Sequence, residues 1–288
     1  VALGNALVDM YARCNALAKA HEVLSRLPIR DVVSWNGLIS GYVQMGQCEE
    51  ALHCFKQMQG EGLFPNEITF TCVLKACGIS GAVSEGKQMH DLIINKGLME
   101  KDLVLGTALV DMYAKCGLLE NAQKVLKEMH VQDVVCWNAL ISGYVQTGQG
   151  EEAMECYRKM ECKGYTPSAI TFTCILKACG MTGAFDKGEE IHKEIINKGM
   201  LRDDIVLRTA LVDMYARCGA LPKAQQVLEE LCVMNVVSWA LISGFTQHGR
   251  GEEAVECFKR MLCKGLCPNS VTFLSVLNAC SHSGHRAW

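Results

Sequence analysis

Apolar residues recur at helical spacing along nearly the whole chain. Trp35, Leu38, Ile39 and Tyr42 fall at i, i+3, i+4 and i+7, the stripe of a buried helical face. Gly41 lies within that stretch at some cost in helix propensity, which a closely passing neighbour backbone would explain. A turn around Gly46 ends this helix. In the next one Ala51, Leu52, Phe55 and Met58 face inward, with Glu49 and Glu50 in the first turn, where carboxylates suit the helix dipole. Gly62-Leu63-Phe64-Pro65 then ends it, because proline cannot continue a helix. No segment shows the apolar–polar alternation of a strand. The pattern predicts an all-α protein built from helix pairs, in which Trp35, Trp137 and Trp239 share one core position.

The pairs are copies of one another. VVSWNGLISGYVQMGQCEEALHCFKQM from Val32 returns as VVCWNALISGYVQTGQGEEAMECYRKM from Val134 and as VVSWALISGFTQHGRGEEAVECFKRM from Val236. The period of 102 residues divides into units of 31, 35 and 36. Their bounds are 1–31, 32–66, 67–102, 103–133, 134–168, 169–204, 205–235 and 236–269, with a partial unit at 270–288. The 31-residue units keep both helices and are expected to lose only the long connection that carries Gly and Pro. Without low-complexity linkers, the whole chain reads as a single solenoid array in which each unit packs on its neighbours. A solenoid presents one long groove, so its function is expected to be binding spread over equivalent positions.

Composition narrows this only a little. The 288 residues carry 28 basic and 31 acidic side chains, a net charge of −3. That argues against tight nonspecific phosphate binding but not against a local basic stripe. Seventeen cysteines suggest metal or disulfides until their spacing is read. Cys14, Cys116 and Cys218 lie one period apart, as do Cys72 and Cys174, and Cys77 and Cys179. They are copied packing positions, mostly on apolar helical stripes, where cysteine acts as a small hydrophobe. No CxxC occurs, and Cys263 and Cys267, the closest pair, lack further ligands for zinc. Reduced thiols and a reducing compartment follow. There is no secretory leader and no membrane-spanning run. The chain starts and stops inside repeats, so it reads as a fragment.

The pattern VVxWNALIxGYxxxGxxEEAxxxFxxMxxxGxxPN resembles the pentatricopeptide repeat family, and within it the plant arrays that alternate short, ordinary and long motifs. ALVDMYAKCG at 108–117, NALISGYVQTGQ at 138–149 and TFTCILKACG at 171–180 look like the openings of those three motifs. The resemblance covers essentially all of the chain. It implies a right-handed α-α superhelix, with the first helices lining the inner face, that binds single-stranded RNA sequence-specifically. One unit would face one base, read by the fifth and last residues of each motif. Carried over, the pairs are Asn5 with Asp31, Asn36 with Asn66, Thr71 with Asp102, and Thr107 with Asp133. Asn138 with Ser168, Thr173 with Asp204, and Thr209 with Asn235 complete them. The second residue would wedge between bases: Ala2, Val33, Ile68, Val104, Val135, Ile170, Val206 and Val237. The residues themselves leave a plainer reading open. Asn and Asp before a helix serve as N-caps, and valine at a helix start is often packing.

The family context further implies an organellar C-to-U editing or RNA-processing factor of the mitochondrion or chloroplast, monomeric and without a membrane or cofactor. Editing accessory proteins or a deaminase would be further partners. Deaminase chemistry needs a zinc held by His and two Cys, with a Glu proton shuttle. His192-Lys193-Glu194 has the HxE form, but no CxxC follows, and His90-Asp91-Leu92 replaces the Glu one period earlier. No catalytic site is therefore expected in this chain. The unit at 236–269 lacks one residue: Ala240 follows Trp239 where Asn is expected, so reading there fails and Asn269 loses its partner. The competing reading is a protein-interaction scaffold of tetratricopeptide type, which the near-neutral charge favours.

Overall fold

A computed structural model describes residues 2–99, 102–201, 204–230, 242, 244–246, 249, 251–263, 265 and 267–283. All regular structure among these residues is helical. The chain divides into two compact units, Val1–Gly143 and Tyr144–Trp288.

The first unit holds α1 (Ala2–Arg13), α2 (Leu17–Arg26), α3 (Val32–Gln44), α4 (Cys48–Gly60), α5 (Glu67–Ser80), α6 (Val83–Asn95), α7 (Leu103–Lys115) and α8 (Leu119–Glu128). The division falls inside α9 (Val134–Gln146). In this unit the odd-numbered helices stack in series, α1 on α3, α3 on α5 and α5 on α7. Each even-numbered helix leans on its own partner and, for α2, α4 and α6, also on the next odd one. The odd helices are thus covered on several sides, which explains their composition: α3 contains no charged residue. Phe70, Leu74, Leu105, Leu109 and Met112 are fully buried at these contacts. Each such side chain contributes about 1.5–3 kcal/mol by leaving water.

The second unit repeats the scheme with α10 (Gly150–Cys162), α11 (Ala169–Thr182), α12 (Phe185–Asn197), α13 (Ile205–Arg217) and α14 (Leu221–Glu230), followed by α15 (Gly251–Cys263) and α16 (Ser270–Ser283). Here α11 packs on α10, α12 and α13, and α15 on α16.

Trp35 and Trp137 are buried as expected, and the Trp35 indole donates to Glu61 Oε2 at 3.0 Å. Trp239 lies outside the described residues. Gly41 is required by a close approach. A Cβ there would stand 2.7 Å from Ala12 Cβ and 2.9 Å from Leu17 Cδ2. Gly143 meets Ala114 and Leu119 in the same way, at 2.8 Å from each. One expectation needs correction. The 31-residue units do not lose only their connection: α2 and α8 have 10 residues where α4 and α6 have 13. Leu27-Pro28 ends α2 early, and proline there permits no further turn.

Cysteines fill the layers between helices. Cys77 and Cys179 are fully buried, and their carbonyls accept weak S–H contacts from Cys116 and Cys218 at 3.7 and 3.6 Å. Burial pushes the Cys54, Cys77 and Cys179 thiols up to about 12. Among the described residues four thiols, Cys14, Cys162, Cys263 and Cys267, are exposed.

Two outcomes follow. Gly41→Val should lower the free energy of unfolding by about 1–3 kcal/mol, because the neighbours must move to admit the side chain. A urea midpoint equal to that of the parent would contradict the close approach. The thiols also set a pH dependence. An unfolded thiol ionises near 9, whereas the buried ones hold their protons to about 12. Their stabilising effect is complete below the lower value and is lost as pH rises toward the upper one. The urea midpoint should therefore fall across that window, and less steeply in Cys77→Ala.

Candidate nucleic-acid interface

The first turn of the first helix in each pair has N–H groups that no carbonyl of the helix can reach. The residue just before the helix supplies the acceptor. Asp31 Oδ1 accepts from the Ser34 amide at 2.9 Å, and the Ser34 hydroxyl returns a bond from the Asp31 amide at 3.0 Å. Asn66 with Thr69 and Ser168 with Thr171 form the same reciprocal box. Asp102 accepts from the Val104 amide at 2.8 Å, Asp133 from Cys136 at 2.9 Å, Asp204 from Leu207 at 2.9 Å and Asn269 from Thr272 at 2.8 Å. These cap residues are the last residues of the sequence units. The N-cap reading thus holds at each described position. Burial works to raise the Asp31 carboxyl, but hydrogen bonds from the Ser34 amide and the Asn5 side chain outweigh it and hold the group below its ordinary range.

The fifth residues lie one turn into each first helix, and the asparagines among them reach the cap of the next first helix. Asn5 Nδ2 donates to both oxygens of Asp31 at 3.1 Å. Asn36 Nδ2 donates to Asn66 Oδ1 at 3.0 Å, and its Oδ1 accepts from the Thr69 hydroxyl at 2.7 Å. Asn36 and Asn138 are buried. Threonine is too short to reach the cap. The hydroxyls of Thr71, Thr173 and Thr209 instead donate to the carbonyl four residues back, at 2.8, 2.8 and 2.7 Å. Thr107 differs, because its Oγ1 is buried without a partner. It lines an open groove of about 490 Å³ together with Thr71, Lys75, Val104, Asp133 and Val135. Asn235 lies outside the described residues.

The second residues face solvent. Val33, Ile68, Val104, Val135, Ile170 and Val206 are 61, 60, 60, 59, 63 and 64% exposed. Ala2 is exposed too, and Val237 lies outside the described residues. Packing at a helix start would bury these branched side chains. Their near-identical exposure instead leaves an apolar prong at the start of each of these helices. Val104 and Val135 flank the groove that holds Thr107 and Asp133.

A row of charges further along the odd helices was not singled out from the sequence. In the short units Asp9 pairs with Arg13 at 2.8 Å, Asp111 with Lys115 at 2.7 Å and Asp213 with Arg217 at 2.8 Å. The long units place Lys75 and Lys177 at the ninth position, exposed and without an ion pair among the described residues. The signal was available, since both sets recur every 102 residues. The HxE segment is structural. His192 Nδ1 lies 2.8 Å from the Tyr215 hydroxyl and Glu194 binds Lys198 at 3.1 Å, while His90 meets Tyr113 at 2.9 Å. Among the described residues no three His, Cys, Asp or Glu side chains are grouped to hold a metal. No described helix is long and apolar enough to cross a membrane.

Known proteins place this arrangement. The profile described as "PPR repeat family" matches residues 30–78, 132–181 and 234–282, and that described as "PPR repeat" matches 68–98, 107–134, 170–200 and 206–236. A pentatricopeptide repeat-containing protein of Arabidopsis thaliana is 39% identical over the whole of this chain and 40% of its own length. A mitochondrial one from the same plant is 37% identical over 99% of this chain, and a chloroplastic one 37% over 98%, each over 33% of its own length. The chain thus spans well under half of these relatives. The crystal structure of the pentatricopeptide repeat protein PPR10 with an 18-nt psaJ RNA element shares the fold. Its TM-score is 0.80 at 22% identity, over 97% of this chain and 42% of that one.

The caps and the fifth residues should separate by stability. Asn66→Ala removes a helix cap together with the acceptor of Asn36, and should cost about 0.5–2 kcal/mol. Thr71→Ala removes only a bond back to its own helix and should stay within about 0.5 kcal/mol of the parent. Urea unfolding of both variants checks this, and equal losses would contradict the cap assignment.

Proposed function

Because the chain belongs to the pentatricopeptide repeat family, we propose that it binds single-stranded RNA sequence-specifically, one base per helix pair. One observation carries the reading. From Val33 to Val206, six helix pairs leave a branched apolar side chain exposed at one position, with polar side chains beside it. A base has two apolar faces and a polar edge. Val104 and Val135 suit its faces, and Thr107 and Asp133 suit its edge. The unpartnered Thr107 hydroxyl supports this, since a buried polar atom gains most when a ligand satisfies it. The solved PPR10 complex with RNA supports the same use of the fold.

Reading the pairs by family preference, with the N-terminus at the 5′ end of the RNA, the expected site is U, pyrimidine, any, G, C, any, A. We further propose that the chain is the target-recognition part of an organellar C-to-U editing or RNA-processing factor. Mitochondrial and chloroplastic relatives support an organelle, and any deaminase or accessory protein would act beside this array. Each correct edge contact contributes about 1–3 kcal/mol in nucleic-acid recognition.

Thr107→Asn tests the assignment. With Asp133 retained, preference at the fourth base should move from G toward a pyrimidine, foremost U, by tenfold or more, on the order of the 1.4 kcal/mol that a factor of ten represents. Stability should hardly change, because Leu109 and Val110 keep their packing. Binding of both proteins is measured at one moderate salt concentration to RNAs that differ only at that base. Equal affinity for all four bases in both proteins would reject base reading by this unit and favour a peptide-binding scaffold.

A further inference from the structure

We propose that Lys75 and Lys177 grip the phosphodiester backbone of the bound RNA, so that long units anchor the strand while short and ordinary units read it. This rests on the RNA-binding reading above, and it assigns a role to the units whose base preference that reading leaves open.

The ninth and thirteenth residues follow the second and fifth along the same side of the first helix in each pair. Ordinary units place Ser40 and Gln44 there, and long units Lys75 and Ile79, or Lys177 and Met181. Short units place an aspartate and a cation one turn apart: Asp9 and Arg13, Asp111 and Lys115, Asp213 and Arg217. Each of these is closed into an ion pair at 2.7–2.8 Å. An exposed pair of this kind is weak. Weakness does not make its cation a good phosphate ligand, however. Moving Lys115 onto a phosphate leaves the Asp111 carboxylate beside the same phosphate, and the two charges cancel. The long-unit lysines have no such partner. Lys75 has no ion pair among the described residues and lines the groove that holds Val104, Thr107 and Asp133. Lys177 is its copy 102 residues later and is likewise exposed.

Position along the helix favours the same assignment. The cap carboxylates Asp31, Asp102, Asp133 and Asp204 stand at the starts of their helices. A ninth residue lies four residues beyond the fifth, about 6 Å along the axis at 1.5 Å per residue. On each such helix the base-edge position and the cationic position are therefore separate, as they must be if a strand lays its base on one and its phosphate on the other. The cap aspartates then repel phosphate from the base-edge position. A near-neutral protein can thus hold RNA through a few placed cations. In the last unit the ninth position is Asn278, so the anchors number two and not three.

The salt dependence of binding tests this on the full chain, with a labelled RNA of the site given above. The affinity of a protein for a single strand falls with salt by a log–log slope of about 0.7 per phosphate neutralised. Lys75→Gln should flatten the slope by about 0.7, and the double variant with Lys177→Gln by about twice that. The ranking of the four bases at the Thr107 position should not change. Lys115→Gln, which breaks a neutral pair, should leave the slope within error of the parent. An unchanged slope in Lys75→Gln would overturn the proposal, as would an equal flattening in Lys115→Gln. RNA binding with the parent slope and intact base ranking in the lysine variants would leave the base reading standing alone. A parent chain that binds no RNA would remove both.

Discussion

The start of a helix leaves amide N–H groups unpaired, and in this protein each described first helix of a pair answers that need with one side chain placed just before it. The geometry of the groove follows. With the cap at the helix start, the third residue returns a bond to it in the boxes of Asp31, Asn66 and Ser168. The second residue is turned out to solvent, as Val33 and Val104 are. The fifth residue, where it is asparagine, reaches forward to the cap of the next pair: Asn5 bonds Asp31 and Asn36 bonds Asn66. Cap and exposed second residue thus follow from one hydrogen-bonding requirement, and the asparagine ties the cap of one pair to the first helix of the pair before it.

The stacking of first helix on first helix turns those local triads into a row. It depends on small residues where backbones approach, as Gly41 does against Ala12. It also depends on side chains such as Phe70 and Leu105, which are fully buried. The three unit lengths then give the row a longer rhythm. Short units carry a neutral ion pair, ordinary units carry uncharged polar groups, and the two complete long units carry a lysine with no ion pair among the described residues. That long period makes a groove of mixed charge out of a chain whose totals show no basic excess.

Much of this was legible in the sequence. The spacing of Trp35, Leu38 and Ile39 placed the core face, and the copies at Val134 and Val236 revealed the repeat. Cys77 and Cys179 read correctly as packing, because they lie one period apart on apolar faces, whereas Cys14, at the position of the half-buried Cys116 and Cys218, is exposed. Three things were not legible, each for a physical reason. The burial of Asn36 depends on its bonds to Asn66 and Thr69, which lie thirty or more residues away. The early end of α2 and α8 looked like a shorter loop, because a count of residues per unit cannot say which part was shortened. The pairing of His90 with Tyr113 and of His192 with Tyr215 needs two helices of different units in contact. The deletion beside Trp239 lies outside the described residues, and its effect there rests on the sequence alone.

The capping task limits what the last residue of a unit can be. A side chain at that position must accept a bond from a helix amide, and few can do so well: Asp, Asn, Ser and Thr. These are also short, polar side chains able to donate to or accept from a base edge, as the proposed reading requires. Any change of the last residue toward a larger or apolar side chain would loosen the following helix, whatever it did to the proposed base contact. On that reading the unit's alphabet is small because folding has already censored it. The seam between modules also runs through the cap: a unit exchanged at its sequence boundary leaves its last letter on one side and the helix that letter holds on the other.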